Sequence, residues 1–148
     1  TFYEESSKIP VIIRYPKEIK QSITNSDAMV STIDIMPTLL DLAGVEIPKG
    51  IDGRSFKKQI LESEVSTNEF DIVFSQNQFG RMVRYDQFKY VRSVVYGITY
   101  EILYDIDNDP NESKNLIDDP KFKNQLIKGR KLLDDWLVNE GTKLIAER

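Results

Sequence analysis

The chain has 148 residues, of which 40% are hydrophobic and 30% charged, enough for a folded domain with a hydrophobic core. The net charge of −4 disfavours nucleic acid as a partner, and no apolar run reaches the roughly 18 residues that a membrane span needs. There is no cysteine and no histidine, which excludes disulfides, thiolate metal sites and the usual histidine acid–base chemistry.

The N-terminal part of the chain predicts one strand and two helices. Residues 10–16 are an apolar run between two prolines, which is typical of a buried strand. Residues 30–43 carry apolar side chains at helical spacing, and we expect Asp34 to cap this helix and Gly44 to end it. A short helix is expected over residues 55–61, and the polar residues 62–69 indicate a boundary between two parts of the chain.

The C-terminal part predicts an antiparallel sheet followed by a long helix. Four strands are expected, over residues 70–75, 80–85, 88–94 and 100–104, with Asp86 and Gln87 as a two-residue hairpin turn. Apolar spacing predicts a helix over residues 120–139, capped by Asp119 and Gly141, with Trp136 as a core anchor. A helix packed on one face of such a sheet gives an α+β fold.

Basic residues on two neighbouring predicted strands form a candidate anion-binding surface. They are Arg81, Arg84, Lys89 and Arg92. One register of the strands places Arg84 and Arg92 on the same face, with Lys89 opposite. Because arginine binds oxyanions through a planar fork of donors, Arg81, Arg84 and Arg92 are candidates for substrate binding. The alternative is that these side chains form a solvated face of the sheet.

Near the last predicted strand, aspartates stand at every second position, as they do in a calcium-binding loop, but the other features of such a loop are missing. The aspartates are Asp105, Asp107 and Asp109. Pro110 and Leu116 stand where the EF-hand template needs glycine and glutamate, so we expect a turn in which Glu112 contacts backbone donors. Glu4 and Glu5 are adjacent and do not form a paired-carboxylate site, so we expect them to make structural hydrogen bonds.

Three sequence blocks follow one another along the chain. They are residues 1–14 (TFYEESSKIPVIIR), residues 30–44 (VSTIDIMPTLLDLAG, followed by the loop DGRS at 52–55) and residues 101–116 (EILYDIDNDPNESKNL). In this order they resemble the C-terminal part of sulfatases, the formylglycine-dependent sulfuric ester hydrolases. The last block, with Leu-Tyr-Asp before Asp-Pro-x-Glu and Asn-Leu, is the most specific.

The resemblance implies that the chain is the C-terminal portion of a sulfatase. Residues 1–62 would then be the end of the large α/β domain, contributing a strand and a helix. Residues 63–148 would form the small C-terminal subdomain, a four-stranded antiparallel sheet with a packed helix, which shapes the substrate cleft.

The resemblance also implies that most of the chemistry lies outside this chain. The family's Cys/Ser-x-Pro/Ala-x-Arg motif is absent, so no catalytic or metal-binding residue is assigned here, and the chain is expected to be inactive alone. Calcium or another divalent cation, and formylglycine, are implied for the complete enzyme. Its substrate would be a sulfated small molecule or saccharide, and periplasmic or secreted localisation fits the resemblance.

Two other interpretations stay open. The chain could belong to a phosphodiesterase or phosphatase of the same alkaline phosphatase superfamily, or it could be a stand-alone carbohydrate-binding or interaction module. If the chain is a sulfatase fragment and is expressed alone, the apolar residues 11–13 lose their sheet neighbours. Because unpaired apolar edges associate, we expect oligomerisation through this strand, or local disorder over residues 1–45.

Overall fold

The computed structural model describes residues 2–19, 28–61 and 71–139. The chain divides into two compact units: Val11–Val73, here called the helical unit, and Thr1–Pro10 with Phe74–Arg148, here called the sheet unit. The first ten residues therefore group with the sheet, although the predicted division placed all of residues 1–62 together. The predicted boundary segment 62–69 lies outside the described residues, and the assignment of residues 1–62 to a larger α/β domain stays a prediction.

The helices and strands alternate little, as expected for an α+β fold. Helices α1 (Glu4–Ser7), α2 (Ile35–Leu42) and α3 (Lys57–Leu61) come first; strands β1 (Ile72–Asn77), β2 (Gly80–Tyr85), β3 (Phe88–Val95) and β4 (Ile98–Asp105) and helix α4 (Lys123–Asn139) follow. Across the segments that the structure describes, no helix has the length and apolar character needed to cross a membrane.

The four predicted strands are confirmed and form one sheet in the order β1-β2-β3-β4. β2 pairs antiparallel with β3, and β3 pairs antiparallel with β4. The predicted turn at Asp86 and Gln87 is also confirmed, with a φ of 45° at Asp86. The β3–β4 turn has positive φ values at Tyr96 (51°) and Gly97 (75°), which matches the right-handed twist of the paired strands.

Helix α4 contacts β2 and β3 and closes the core of the sheet unit, as predicted. The 3₁₀ turn Pro120–Phe122, which leads directly into α4, is capped as expected, since the Asp119 side chain accepts a hydrogen bond from the backbone N–H of Lys121. Trp136 stacks on Phe74 with ring centroids 5.0 Å apart. The predicted C-terminal cap at Gly141 lies outside the described residues. The buried leucines that face the sheet are Leu126, Leu133 and Leu137.

Helix α4 packs on one face of the sheet, and the segment that contains α1 packs on the other. Residues directly opposite each other in an antiparallel pair share a face. The face beneath α4 carries the buried side chains Val83, Tyr85, Phe88, Tyr90 and Leu103. On the other face the chain segment that contains α1 lies over Lys89 and Tyr104, with the rings of Tyr3 and Tyr104 6.2 Å apart.

The α2 helix of the helical unit is fixed by a buried aspartate. Asp34 Oδ2 accepts a hydrogen bond from Ser31 N at 2.8 Å, and Asp34 Oδ1 accepts one from Arg54 N at 2.9 Å. Asp34 thus serves the 3₁₀ turn before α2 and a distant loop, and not the first turn of α2 itself as predicted. The predicted end at Gly44 is confirmed, with a φ of 69°.

The strand predicted for residues 10–16 is wrong. Residues 8–15 have no regular secondary structure, and Ile12 is 94% exposed. A strand needs a neighbouring strand to pair its backbone N–H and C=O groups, and in the described part of the chain the sheet contains only β1 to β4.

The apolar side of α2 that the sequence predicts is exposed to solvent within the described residues, since Met36 and Leu39 are 47% and 59% exposed.

Candidate functional site

A cluster of buried and half-buried charges lies between the sheet and the N-terminal segment. Its members, here called the Lys89 cluster, are Glu4, Arg84, Lys89 and Glu112. Lys89 is completely buried, and its Nζ lies 2.5 Å from Glu4 Oε1 and 2.8 Å from Glu112 Oε1. The same Nζ donates a hydrogen bond to the backbone oxygen of Phe2 at 2.9 Å. A fully buried lysine therefore has two carboxylates and one carbonyl as partners.

Three separate elements bring these groups together. Lys89 and Arg84 are direct partners in the β3–β2 register and so share a face. Glu112 stands in a turn after β4 with a φ of 51°. The first turn of α1 supplies both the Glu4 carboxylate and the Glu4 N–H, which donates to Glu112 Oε2 at 2.6 Å. The expected contact of Glu112 with a backbone donor and the expected structural role of Glu4 are thereby confirmed.

The turn that carries Glu112 is held by Asp109. Asp109 Oδ1 accepts a hydrogen bond from Ser113 Oγ at 2.8 Å, and Asp109 Oδ2 accepts one from Lys114 N at 2.8 Å. The backbone bond from Lys114, followed by the Ser113 hydroxyl, lowers the pKa of Asp109. The expected turn is confirmed, and its aspartate oxygens are occupied by hydrogen bonds from the protein itself.

Burial shapes the acid–base properties of the groups around the cluster. Desolvation lowers the pKa of Arg84, although the negative charges of Glu4, Asp107 and Glu112 oppose this effect. Desolvation, together with the hydrogen bond to Tyr3, raises the pKa of Tyr104. The Tyr104 phenol is therefore held in its neutral form beside the buried charges.

The structure does not bring the three predicted substrate-binding arginines together. Arg81 opposes Arg92 across β2 and β3, whereas Arg84 opposes Lys89, so Arg84 and Arg92 lie on opposite faces. The register that would place Arg84 and Arg92 on one face is not the one observed; a shift of one residue inverts the facing of every side chain in a strand. The role of Arg81, Arg84 and Arg92 in substrate binding stays a prediction.

Each of these arginines has partners within the sheet unit. Arg81 is buried, and its Nη1 donates to the backbone oxygens of Asn77 and Gly80 at 2.8 and 3.0 Å. Arg84 Nη1 donates to the backbone oxygens of Asp86 and Phe88 at 2.6 and 3.2 Å. These bonds orient the Arg81 guanidinium along the backbone between β1 and β2, and the Arg84 guanidinium along the backbone of the β2–β3 hairpin.

Arg92 belongs to a second charged group on the face that α4 covers. Its Nη1 donates to Asp134 Oδ1 at 2.8 Å. Beside it, Arg130 forms a two-point bond with Glu101, with distances of 2.8 Å from Nε to Oε1 and 2.6 Å from Nη2 to Oε2. The Tyr90 hydroxyl also bonds to Glu101. The bond from Arg130 is the main reason why the pKa of Glu101 is lowered.

The described residues offer no arrangement for a metal ion. Within residues 2–19, 28–61 and 71–139, no three aspartate or glutamate residues converge as metal ligands would. Asp105 illustrates why: its carboxylate oxygens accept hydrogen bonds from Asn108 N, Asn108 Nδ2 and Gln87 Nε2. Burial raises the pKa of Asp105, but these bonds outweigh burial and the net shift is downward.

Sequence reasoning missed the Lys89 cluster and the short helix α1. Glu4 lies in the first of the three sequence blocks, and Glu112 is the glutamate of Asp-Pro-x-Glu in the last one. Lys89 connects Glu4 to Glu112 because its side chain points to the face of the sheet that the N-terminal segment covers. The pairing of β3 with β2 determines that face. An isolated lysine in a strand that alternates polar and apolar residues carries no local signal of burial.

Comparison with known proteins relates most of the chain to one family. Residues 1–136 match the family model described as N-sulphoglucosamine sulphohydrolase, C-terminal. The Delta 4,5-hexuronate-2-O-sulfatase of Bacteroides thetaiotaomicron is 34% identical over 147 residues, which cover 93% of this chain and 30% of that protein. The N-acetylglucosamine-6-O-sulfatase of the same bacterium is 51% identical over 65 residues, covering 44% of this chain and 11% of that protein.

A solved structure gives the same relationship at the level of the fold. The structure of a 2-O GAG sulfatase superimposes with a TM-score of 0.70 at 34% sequence identity, covering 84% of this chain and 28% of that chain. The chain thus spans less than a third of the length of these relatives.

Proposed function

The chain belongs to the sulfatase family, and from this membership we propose that it forms the C-terminal part of an enzyme that hydrolyses sulfate esters. The observation that carries the proposal is the family match over residues 1–136, which covers the helical unit and most of the sheet unit. The four-stranded antiparallel sheet with its packed helix is the fold of this part of sulfatases.

We propose a sulfated saccharide as the substrate class of the complete enzyme. The names of two relatives support this choice, because both describe the removal of a sulfate from a sugar: a hexuronate 2-O-sulfate in one and an N-acetylglucosamine 6-O-sulfate in the other. The sugar and the position of the sulfate are left open by this proposal, since the matched region is the C-terminal part alone.

In this proposal the chain shapes the substrate cleft and does not perform the chemistry. It contains no histidine or cysteine, and the carboxylates of Glu112, Glu101 and Asp109 are engaged with lysine, arginine and backbone donors respectively. The described residues do not fit calcium or another divalent cation, since no three of their acidic side chains converge, and the sequence lacks the Cys/Ser-x-Pro/Ala-x-Arg motif from which formylglycine is made. The cation and formylglycine belong to the upstream part of the proposed enzyme.

The first test is to sequence the coding DNA upstream of the codon for Thr1. We expect a continuous reading frame that encodes a Cys/Ser-x-Pro/Ala-x-Arg motif. An initiator codon directly before Thr1, with no such motif, would contradict the proposed enzyme and favour a stand-alone module.

The second test measures hydrolysis of a chromogenic aryl sulfate. We expect background rates for the 148-residue chain and metal-dependent turnover for the complete protein. Metal-dependent turnover by the 148-residue chain itself would show that the chemistry lies here after all.

A further inference from the structure

Strand β4 lies at an edge of the sheet and has one side without a neighbouring strand. The order β1-β2-β3-β4 gives β4 only β3 as a neighbour in the described part of the chain. In an antiparallel pair, residues whose backbone groups bond to the neighbour alternate with residues whose groups point away from it. The bond from Leu116 N to Leu103 O, at 2.8 Å, shows that Leu103 points away from β3. Glu101 and Thr99 have the same parity along β4 and therefore point the same way.

Asn115 covers one half of this open side. Its Oδ1 accepts a hydrogen bond from Leu103 N at 3.0 Å, and its Nδ2 donates to the Glu101 carbonyl oxygen at 3.3 Å. With Leu116 N, this side chain takes the place of a neighbouring strand beside the second half of β4. Beside the first half, no hydrogen bond between described residues reaches the backbone N–H or carbonyl of Thr99, or the N–H of Glu101.

The uncovered half of β4 is apolar and lacks the usual protection of a sheet edge. Ile98 and Tyr100 are exposed, and together with Ile102 they share one face of the strand. Native proteins protect exposed edges with lysine, proline or a bulge. Residues 98–102 contain neither lysine nor proline, and the pairing of β4 with β3 runs along the whole strand without a bulge. This edge is therefore suited to pair with another strand.

The uncovered stretch is complementary to itself in the antiparallel orientation. When two copies meet about a two-fold axis at Tyr100, the open backbone groups of Thr99 lie opposite those of the partner's Glu101 and can bond to them. The two Tyr100 rings then lie opposite each other, and Ile98 lies opposite the partner's Ile102. Aromatic and β-branched pairs of this kind stabilise sheets. Like charges do not meet, because each Glu101 faces a threonine.

We propose that β4 is a homodimer interface: it pairs antiparallel with β4 of a second copy of this chain, centred on Tyr100, and joins the two sheets into one. The contact ends where Asn115 occupies the edge beside Leu103, so it comprises residues 98–102. Because a standard interface has roughly 20–30 residues a side, this short contact gives a weak dimer that forms at high protein concentration. The proposal does not rest on the proposed function.

Disulfide trapping tests the register. The chain has no cysteine, so a single introduced cysteine can react only with its copy. Tyr100→Cys places the two Cα atoms about 4.5 Å apart, within the range that a disulfide spans. Ile98→Cys is the matched control: Ile98 is 56% exposed against 51% for Tyr100, but its two copies lie about 13 Å apart along the paired strands.

Mild oxidation should link Tyr100→Cys into dimers about fivefold or more in excess of Ile98→Cys, because only the first pair meets the geometry of a disulfide. A denaturing gel without reductant measures the linked fraction. Equal linking of the two variants, or linking of neither, would overturn the proposal.

Sedimentation velocity tests the interface without a covalent link. All chains carry Ile12→Lys/Leu39→Lys, so that the exposed apolar side chains of the helical unit do not contribute to association. Thr99→Pro removes an N–H that points away from β3, and we expect it to weaken dimerisation about tenfold or more with the sheet intact. Tyr100→Lys, which sets two like charges opposite each other, gives a second reading should the proline variant not fold. Ile127→Lys, at an exposed position of α4, is the control and should leave the dimer unchanged. A dimer that persists in both edge variants would overturn the proposal.

The complete protein decides between a second copy and another occupant of the edge. We expect Tyr100→Cys to be linked there as in the 148-residue chain, in excess of any linking of the unmodified complete protein. A complete protein that stays monomeric and unlinked would show that another part of the polypeptide covers β4, and this result would overturn the dimer.

Discussion

At the scale of single residues, the bond between Arg130 and Glu101 ties α4 to β4. Their two hydrogen bonds lower the pKa of Glu101 below its ordinary value of 4.5. A carboxylate with a lowered pKa in the folded state stabilises the protein above the unfolded pKa, and this contribution is lost as the pH falls through the folded pKa.

We therefore expect Glu101→Gln to lower the free energy of unfolding by about 1 kcal/mol near neutral pH, since the pair is partly exposed. The difference from the unmodified chain should shrink as the pH falls below 4.5. Urea unfolding across this range measures it, and Glu5→Gln, at an exposed position, is the control. A difference that is constant with pH would show that the ionised form of Glu101 is not responsible.

Gly129 shows how closely α4 approaches the sheet. A Cβ at this position would lie 2.8 Å from both Tyr90 Cβ and Tyr85 Oη. Tyr90 Cβ is next to the backbone and cannot move away easily. The close contact outweighs the gain of about 1 kcal/mol in helix propensity that alanine normally brings.

Gly129→Ala should therefore destabilise the chain by about 1–3 kcal/mol, as overpacking in a core does. Thermal or urea unfolding gives the value. Lys131→Ala, at an exposed position of the same helix, should change stability by less than about 0.5 kcal/mol. Stabilisation by Gly129→Ala would mean that α4 can shift away from Tyr90 at little cost.

At the scale of elements, α2 depends on one buried carboxylate. Asp34 accepts bonds from the backbone N–H groups of Ser31 and Arg54, which are 23 residues apart in sequence. Asp34→Ala leaves both donors without this acceptor and should lower the free energy of unfolding by about 1–3 kcal/mol. Loss of helical circular dichroism at lower urea concentration would measure this, with the exposed Asp52→Ala as the control. Equal behaviour of the two variants would contradict the role of Asp34.

The sequence predicted those elements whose information is local. The turn at Asp86, the cap at Asp119 and the end of α2 at Gly44 each follow from the residue type and its neighbours, and all are confirmed. The strand over residues 10–16 was wrong because a strand exists only with a partner, and apolar residues alone do not supply one.

The candidate site depended on information that no local pattern contains. The register of β2 and β3 decides that Lys89 faces Arg84 and that Arg92 faces Arg81. Sequence alternation fixes which residues share a face within one strand, but not how two strands are aligned. The hydrogen bond from Glu4 N to Glu112 joins residues 108 positions apart, and no local pattern predicts a contact at that separation.

At the scale of the whole molecule, apolar side chains of the helical unit stand open to solvent. Ile12 and Leu39 are 94% and 59% exposed. The predicted strand is absent, but we still expect the chain to self-associate, because exposed apolar patches associate in water. Light scattering of the 148-residue chain should show species larger than a monomer.

The double variant Ile12→Lys/Leu39→Lys should shift this distribution towards monomer. Val138→Lys is the matched control, because Val138 is 79% exposed but belongs to the sheet unit. A sharply monomeric unmodified chain would contradict the predicted oligomerisation.

The bond between Glu4 and Glu112 joins residues that are 108 positions apart. On the ribosome, the backbone N–H of Glu4 in α1 lacks its partner Glu112 until the turn after β4 has left the exit tunnel. At about 5–20 residues per second, the ribosome needs on the order of ten seconds to synthesise the residues between Glu4 and Glu112. The polar, unburied character of α1 suits this delay, because a segment without apolar side chains can stay in water without aggregating. The first helix of the chain is thus among the last to take its place.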